Sequence, residues 1–293
     1  SARLLANGGN TRWHAPTWIH YLHAAYEPQI AAGVRARGVA AVGRRHYLAR
    51  EAAALANAPA VICNSARTAD DVRRHYGIGD DRLRVVYYGV DAAEFSAIDP
   101  DARRDARRAL GFDAEQPVAI FVGALGDRRK GFDALFDAWH RLHTETGWDA
   151  CLAVAGTGAE AEAWERRAAR GGLASRMMFL RFRSDIPRIL AAADVLVHPA
   201  RYEAYGLGVH EALCRGLPVI VTETAGVAER LPADLRPLTL PHPVAVDDLV
   251  ARLQLWRGDM SAWRARARAA GDALRQRTWE HMAAEITSLV EQS

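Results

Sequence analysis

Two hydrophobic patterns take turns along this chain. Short apolar runs occur at residues 18–23, 61–63, 83–88, 117–122, 151–155, 177–183, 195–197 and 218–221. Most of the stretches between them carry apolar residues three or four positions apart. This alternation predicts strand–helix–strand units and parallel sheets. The run at 18–23 predicts a strand with His20 and Leu22 on one face and Ile19, Tyr21 and His23 on the other, between loops marked by Pro16 and Pro28. Val34, Ala41, Leu48 and Leu55 recur every seven residues and predict a long helix over residues 30–57. Further helices are predicted from Asn64 to about Tyr76, over 101–110, and from Phe132, where Phe132, Leu135, Phe136 and Trp139 face inward. Others follow at 185–193, with Pro187 in the first turn, at 246–257 and at 261–275. A terminal helix is predicted with Trp279, Met282, Ala283, Ile286, Leu289 and Val290 on one side.

One unit concentrates the chemistry. Residues 200–216 read as loop then helix between two apolar runs, with Glu203 and Glu211 separated by seven residues. The loop holds Glu203 at the carboxyl end of a strand. A helix starting near Gly206 leaves the amides of Gly206, Leu207 and Gly208 free, and such a start suits an anion. Without Cβ atoms, Gly206 and Gly208 admit close approach. Two carboxylates for hydroxyls, with an amide nest between them, fit a molecule with sugar hydroxyls on both sides of a diphosphate. A second βα turn runs from Gly123 to Phe132 and carries Arg128, Arg129 and Lys130. Lys130 is the only lysine among 38 basic residues. An ammonium is a compact point charge that a guanidinium does not reproduce. A third strand ends in the glycine turn of Gly156 and Gly158.

The stretch from Glu203 to Glu211 closely resembles the E-x7-E signature of family 4 retaining glycosyltransferases, which have the two-domain GT-B fold. The resemblance implies an α/β protein of two Rossmann-like, doubly wound parallel sheets, the first incomplete. It implies that Lys130 lies on a donor diphosphate, that Glu211 accepts from ribose hydroxyls, and that Glu203 holds the donor sugar. It further implies His23 near that sugar, Gly156 where a nucleotide passes, and the backbone of Phe182 and Arg183 beside the nucleobase. Three positions depart from the family pattern. Ala124 stands where an Arg is frequent, so Arg128 or Arg129 takes that role; Arg181 stands where Gly is usual; and Ala225 precedes Gly226 in place of Gly-Gly. The passage from Tyr88 to Phe95 resembles the family's link between domains. The expected division is therefore 1–92, a partial acceptor-side domain; 93–275, the donor domain; and 276–293, a helix crossing back. About 92 residues are too few for a complete acceptor domain of this fold, so a fragment or a reduced domain is expected.

Composition narrows the function classes. A net charge of +3 without a dense Lys/Arg block gives no ground for nucleic acid, and leaves only weak peripheral contact with the inner face of an anionic membrane. Arg35, Arg37, Arg44, Arg45 and Arg50 read as a solvated face, with an acidic acceptor or lipid headgroup as the lesser reading. Cys63, Cys151 and Cys214 lie in or beside apolar runs, as reduced thiols of a cytoplasmic protein would. No Asp-x-Asp metal motif is evident. The expected activity is metal-independent, retaining transfer from a nucleotide-diphosphate sugar to an acceptor hydroxyl, with no cofactor beyond that donor. A silent nucleotide-sugar binding module and a sugar-nucleotide epimerase are the rivals.

Overall fold

The apolar runs build two parallel sheets, in a computed structural model that describes residues 4–9, 11–29, 34–126 and 128–292, without the side chains of 34–41. The first sheet is formed by β1 (Ala6–Asn7), β2 (Thr17–Ile19), β3 (Val61–Cys63) and β4 (Leu83–Val85). A 3-10 turn at His23–Ala25 and α1 (Val34–Asn57) follow β2, and α2 (Ala66–Tyr76) follows β3. After α3 (Pro100–Leu110) comes the second sheet: β5 (Val118–Val122), α4 (Phe132–Thr146), β6 (Cys151–Ala155), α5 (Ala161–Arg170), β7 (Met177–Arg181), α6 (Ile186–Ala192), β8 (Val195–His198), α7 (Leu207–Cys214) and β9 (Val219–Val221). Three helices close the chain: α8 (Val246–Gly258), α9 (Met260–Arg275) and α10 (Trp279–Gln292).

The second sheet has the order β7-β6-β5-β8-β9, so its winding reverses between β5 and β8. Loops leaving the carboxyl ends of strands diverge at such a point and open a crevice for ligands. The first sheet runs β1-β2-β3-β4 without reversal, one half of a doubly wound arrangement and the incompleteness expected from the sequence. On one of its faces Val61 and Cys63 pack with Ile19, Leu22, Leu55 and Val72, beneath α1 and α2. On the other, Ile62 and Val86 pack with Met282 and Ile286 of α10, which returns across the first sheet. The strand period of two explains why neighbours Ile62 and Val61 serve opposite cores.

The strand expected over 18–23 stops at Ile19. Its ladder to β3 spans only Thr17↔Val61 to Ile19↔Cys63, after which Ser65 caps α2 and leaves residues 20–23 no partner strand. Leu22 therefore joins Ile19 in one core instead of facing away from it. In the predicted helix over 30–57, residues 30–33 and the side chains of Val34, Arg35, Arg37 and Ala41 lie outside the described residues. Leu48 is half-buried and Leu55 is buried, and Glu51, in phase with both, is buried too. Ala283 is exposed, because Met282 and Ile286 form the seam of α10.

Side chains join the two halves. Ser65 Oγ donates to Ala204 O at 2.6 Å, and the first amides of α2, at Ala66 and Arg67, donate to the Glu229 carboxylate at 3.0 and 2.7 Å. A carboxylate at a helix start is stabilised by the unpaired amides and the helix dipole. Among the described residues no helix is long and apolar enough to cross a membrane. Burial pushes the thiols of Cys63 and Cys214 up to about 12, so they stay protonated at neutral pH.

Candidate active site

Two loops meet at the reversal point. One, residues 123–131, leaves β5; the other, residues 199–206, leaves β8. Arg201 fastens them: its guanidinium holds both oxygens of Asp133 at 2.7 and 2.8 Å and donates to Arg128 O at 2.7 Å. Between the loops the Lys130 ammonium donates to Glu203 Oε2. His198 Nε2, on the last residue of β8, lies 2.9 Å from the same oxygen, and Arg129 Nη1 lies 3.9 Å from it. Glu203 is 12 % exposed. Burial pushes its carboxyl up, yet the hydrogen bond from His198 and the charge of Lys130 outweigh that and hold it well below the usual range. Burial and the Lys130 charge push His198 down, so the imidazole is neutral and its Nε2–H donates to the carboxylate. Glu203 is thus a fixed anion with lone pairs to offer hydroxyls.

The start of α7 abuts this cluster. Gly206 caps it at φ 104°, a left-handed conformation, and a Cβ there would stand 3.2 Å from Glu203 Cγ. Glycine meets both demands. Among the described residues no acceptor meets the amides of Gly206, Leu207 or Gly208, and a Cβ on Gly208 would touch nothing within 4 Å. Free amides therefore lie beside the ammonium.

Two clefts flank the cluster and share Ile186. One, of about 380 Å³, is lined by Gly123, Ala124, Gly156, Thr157, Phe182 and Arg183, among others. The Phe182 ring is 76 % exposed. Arg183, which also lines this cleft, holds both oxygens of Asp185 at 2.8 and 2.7 Å. Gly156 has a structural requirement in addition to its place in the cleft: at φ 155° a Cβ would fall 1.9 Å from Gly123 O. Arg181, where the family usually has Gly, holds φ 59°. The second cleft, of about 340 Å³, is lined by Asp91, Glu94, Phe95, Glu211 and Trp279, among others. Burial and the nearby Glu94 push the Glu211 carboxyl up to about 7.

His23 comes from the first sheet's side. Its Nδ1 and backbone N–H meet Glu51 Oε1 at 3.0 and 2.9 Å. Its ring stacks on Tyr47 at 5.3 Å and meets Tyr21 edge-on at 5.1 Å. Tyr21 in turn packs edge-on against Tyr202, beside Glu203, at 5.3 Å, while the Arg129 guanidinium sits 5.7 Å over Tyr21. Arg129, not Arg128, therefore reaches the cluster; Arg128 lies 3.9 Å from Glu160. Glu51 also accepts from the Ala24 amide at 3.3 Å and the Tyr76 hydroxyl at 2.6 Å. Glu51→Ala strands these donors in a buried place and is expected to cost about 2–4 kcal/mol. Urea denaturation checks this; a loss below 1 kcal/mol would show that Glu51 does not organise the turn.

Residues 116–254 match the family Glycosyl transferases group 1, and residues 2–94 match Glycosyltransferase Family 4. The chain belongs to the family 4, group 1 glycosyltransferases. The lipopolysaccharide core biosynthesis mannosyltransferase LpsB of Rhizobium meliloti is 34% identical over 199 residues, 66% of this chain and 52% of that protein. The crystal structure of WaaG, a glycosyltransferase involved in lipopolysaccharide biosynthesis, superposes with TM-score 0.76 at 23% identity, over 98% of this chain and 78% of that one. Anabaena HepE in complex with UDP-glucose superposes with TM-score 0.72 at 21% identity, over 94% of this chain and 72% of that one. The chain spans about half the length of the first curated relatives it matches. Within this glycosyltransferase family chain, Arg201, His198 and Glu51 are the site residues that sequence reasoning passed over. For Glu51 a signal existed: it lies three positions after Leu48 and four before Leu55, on the apolar stripe. Nothing in the sequence pointed to His198 or Arg201, since their roles depend on two loops meeting.

Proposed function

We propose that this chain is a retaining glycosyltransferase that moves a sugar from a nucleotide-diphosphate sugar to an acceptor hydroxyl. The observation that carries this reading is the cluster of Lys130, Glu203 and His198 beside the free amides of α7. Residues 1–92 form the acceptor side in this reading, 93–275 the donor domain and 276–293 the returning helix. The nucleobase lies against the backbone at Phe182 and Arg183, and the ribose hydroxyls on Glu211. The diphosphate lies on Lys130, Arg129 and the amides of Gly206–Gly208. Charge grows on the leaving diphosphate as the glycosidic bond breaks, and fixed positive groups at that place lower the barrier. They supply it without a metal ion.

Glu203 accepts from donor-sugar hydroxyls and orients the ring, while His198 and Lys130 keep it ionised. His23, aimed by Glu51, faces the same sugar from the acceptor side. Attack and departure occur on one face of the sugar, with a diphosphate oxygen taking the acceptor's proton, so no carboxylate nucleophile is required. That a relative was crystallised with UDP-glucose supports the donor class. The buried thiols suit a cytoplasmic protein, peripheral at most on the inner face of the membrane.

Calorimetric titration of this chain with nucleoside diphosphates and their sugars tests the reading. Binding confined to one base class is expected. Because the chain spans about half of its curated relatives, a silent binding module is the second reading. Donor hydrolysis or transfer by the same preparation decides for the enzyme, and binding without turnover decides for the module. An altered sugar nucleotide as product would point to an epimerase and sink both.

A further inference from the structure

A cationic cleft lies on the acceptor side, apart from the donor site. Residues 1–69 hold eight arginines and two acids, Glu27 and Glu51, and Glu51 is buried and bonded as described. Between the loop at residues 11–14 and α1 lies a cleft of about 330 Å³ lined by Thr11, Arg12, His46 and Arg50. Among the described residues its lining contains three basic side chains and a hydroxyl, and no carboxylate. The loop is held in place: Asn57 Nδ2 donates to Arg12 O at 2.5 Å, and His14 Nδ1 lies 2.8 Å from Asn57 O. His46 and Arg50 are one helical turn apart and share a face of α1.

The adjacent face leads to the reaction centre. The ring of Tyr47 lies 6.1 Å from that of His46 and stacks at 5.3 Å on that of His23. Tyr47 is 52% and Trp13 63% exposed, so two aromatic surfaces border the basic groups. Guanidinium groups bind phosphate and carboxylate through paired, charge-assisted hydrogen bonds, and aromatic faces accept the apolar side of a sugar ring.

We propose that this cleft holds an anionic group, phosphate or carboxylate, of the acceptor, so that the transferase acts on an acidic acceptor whose hydroxyl is presented beside His23. The proposal rests on reading the chain as a glycosyltransferase with His23 on the donor sugar. The anion is either part of a soluble sugar or the headgroup of a lipid.

The test uses the whole chain and a double variant, Arg12→Gln with Arg50→Gln. Binding of glucose 6-phosphate, glucose, and vesicles of phosphatidylglycerol or phosphatidylcholine is followed by tryptophan fluorescence and calorimetry. Binding of glucose 6-phosphate but not glucose, weakened about tenfold or more in the variant, supports a soluble acidic acceptor. Binding only to phosphatidylglycerol vesicles, lost in the variant, supports the same site with a lipid source. Equal binding by variant and parent, or no binding of any anionic probe by the parent, overturns the proposal. Nucleotide-sugar binding is measured on both proteins. It is expected unchanged in the variant, which also shows the variant folded; its absence from the parent would instead sink the donor reading.

Discussion

Lys130→Ala is expected to lower kcat/KM for sugar transfer by about 10²–10³-fold, as removal of one fixed group stabilising developing charge does elsewhere. Two losses combine. The diphosphate loses a charge-assisted contact, about 1.5–3 kcal/mol of donor affinity. Glu203 loses its nearest cation while remaining largely buried, and breaking such a pair costs up to about 3–5 kcal/mol. The pairing is direct, and Arg129, 3.9 Å away, is too far to replace the hydrogen bond. Stability therefore falls together with activity. Adding Glu203→Gln removes the unpaired charge, so the double variant is expected to recover stability without activity. A denaturation series on the two singles and the double reads this coupling directly. Because Lys130 is the sole lysine, an amine-directed reagent modifies only this side chain and the chain terminus. Bound donor is expected to protect it. Full transfer activity in Lys130→Ala, or labelling that donor does not slow, would remove Lys130 from the site.

The second large effect is pH dependence at Glu211. Burial and Glu94 push its carboxyl up to about 7, so near neutrality part of the free protein carries it protonated. Accepting from two ribose hydroxyls calls for the ionised form. Donor binding then releases a proton, and affinity is expected to fall about tenfold per pH unit below 7, roughly thirtyfold between pH 8.5 and 5.5. A nucleotide-sugar is the right probe, since its diphosphate is esterified at both ends and does not titrate in this range. Glu211→Gln is expected to bind weakly at every pH, with a flat profile. Stability moves the other way. A carboxyl whose folded value is raised contributes fully below its unfolded value, and that contribution is lost as pH rises through about 7. Glu211→Gln is therefore expected to melt higher than the parent at pH 8.5 and close to it at pH 4. Calorimetry in two buffers of different ionisation enthalpy counts the released proton. A parent affinity independent of pH from 5.5 to 8.5 would place the ribose elsewhere.

The sequence by itself determined the elements of the second sheet and the two loops that form the candidate site. Strand and helix periods differ, so runs such as 117–122 and 151–155 declare their type locally. A glycine before a helix start, as at Gly206, is a local requirement, and so is the spacing of Glu203 and Glu211. The lone lysine at position 130 needed only a count. What stayed illegible depended on chain segments far apart in sequence. The strand over 18–23 looked uniform, yet it ends at Ile19 because β3, some forty residues on, turns away after Cys63. Nothing local marked His198, which becomes a donor to Glu203 only because β8 delivers it beneath the loop from β5. Glu51 sat on an apolar stripe as an anomaly until the fold brought His23, Ala24 and Tyr76 to it. Local periodicity and loop chemistry are properties of neighbouring residues and can be read in order. The protonation of Glu203 and the direction of His23 are set by desolvation and by partners from other strands, and tertiary structure alone assembles those.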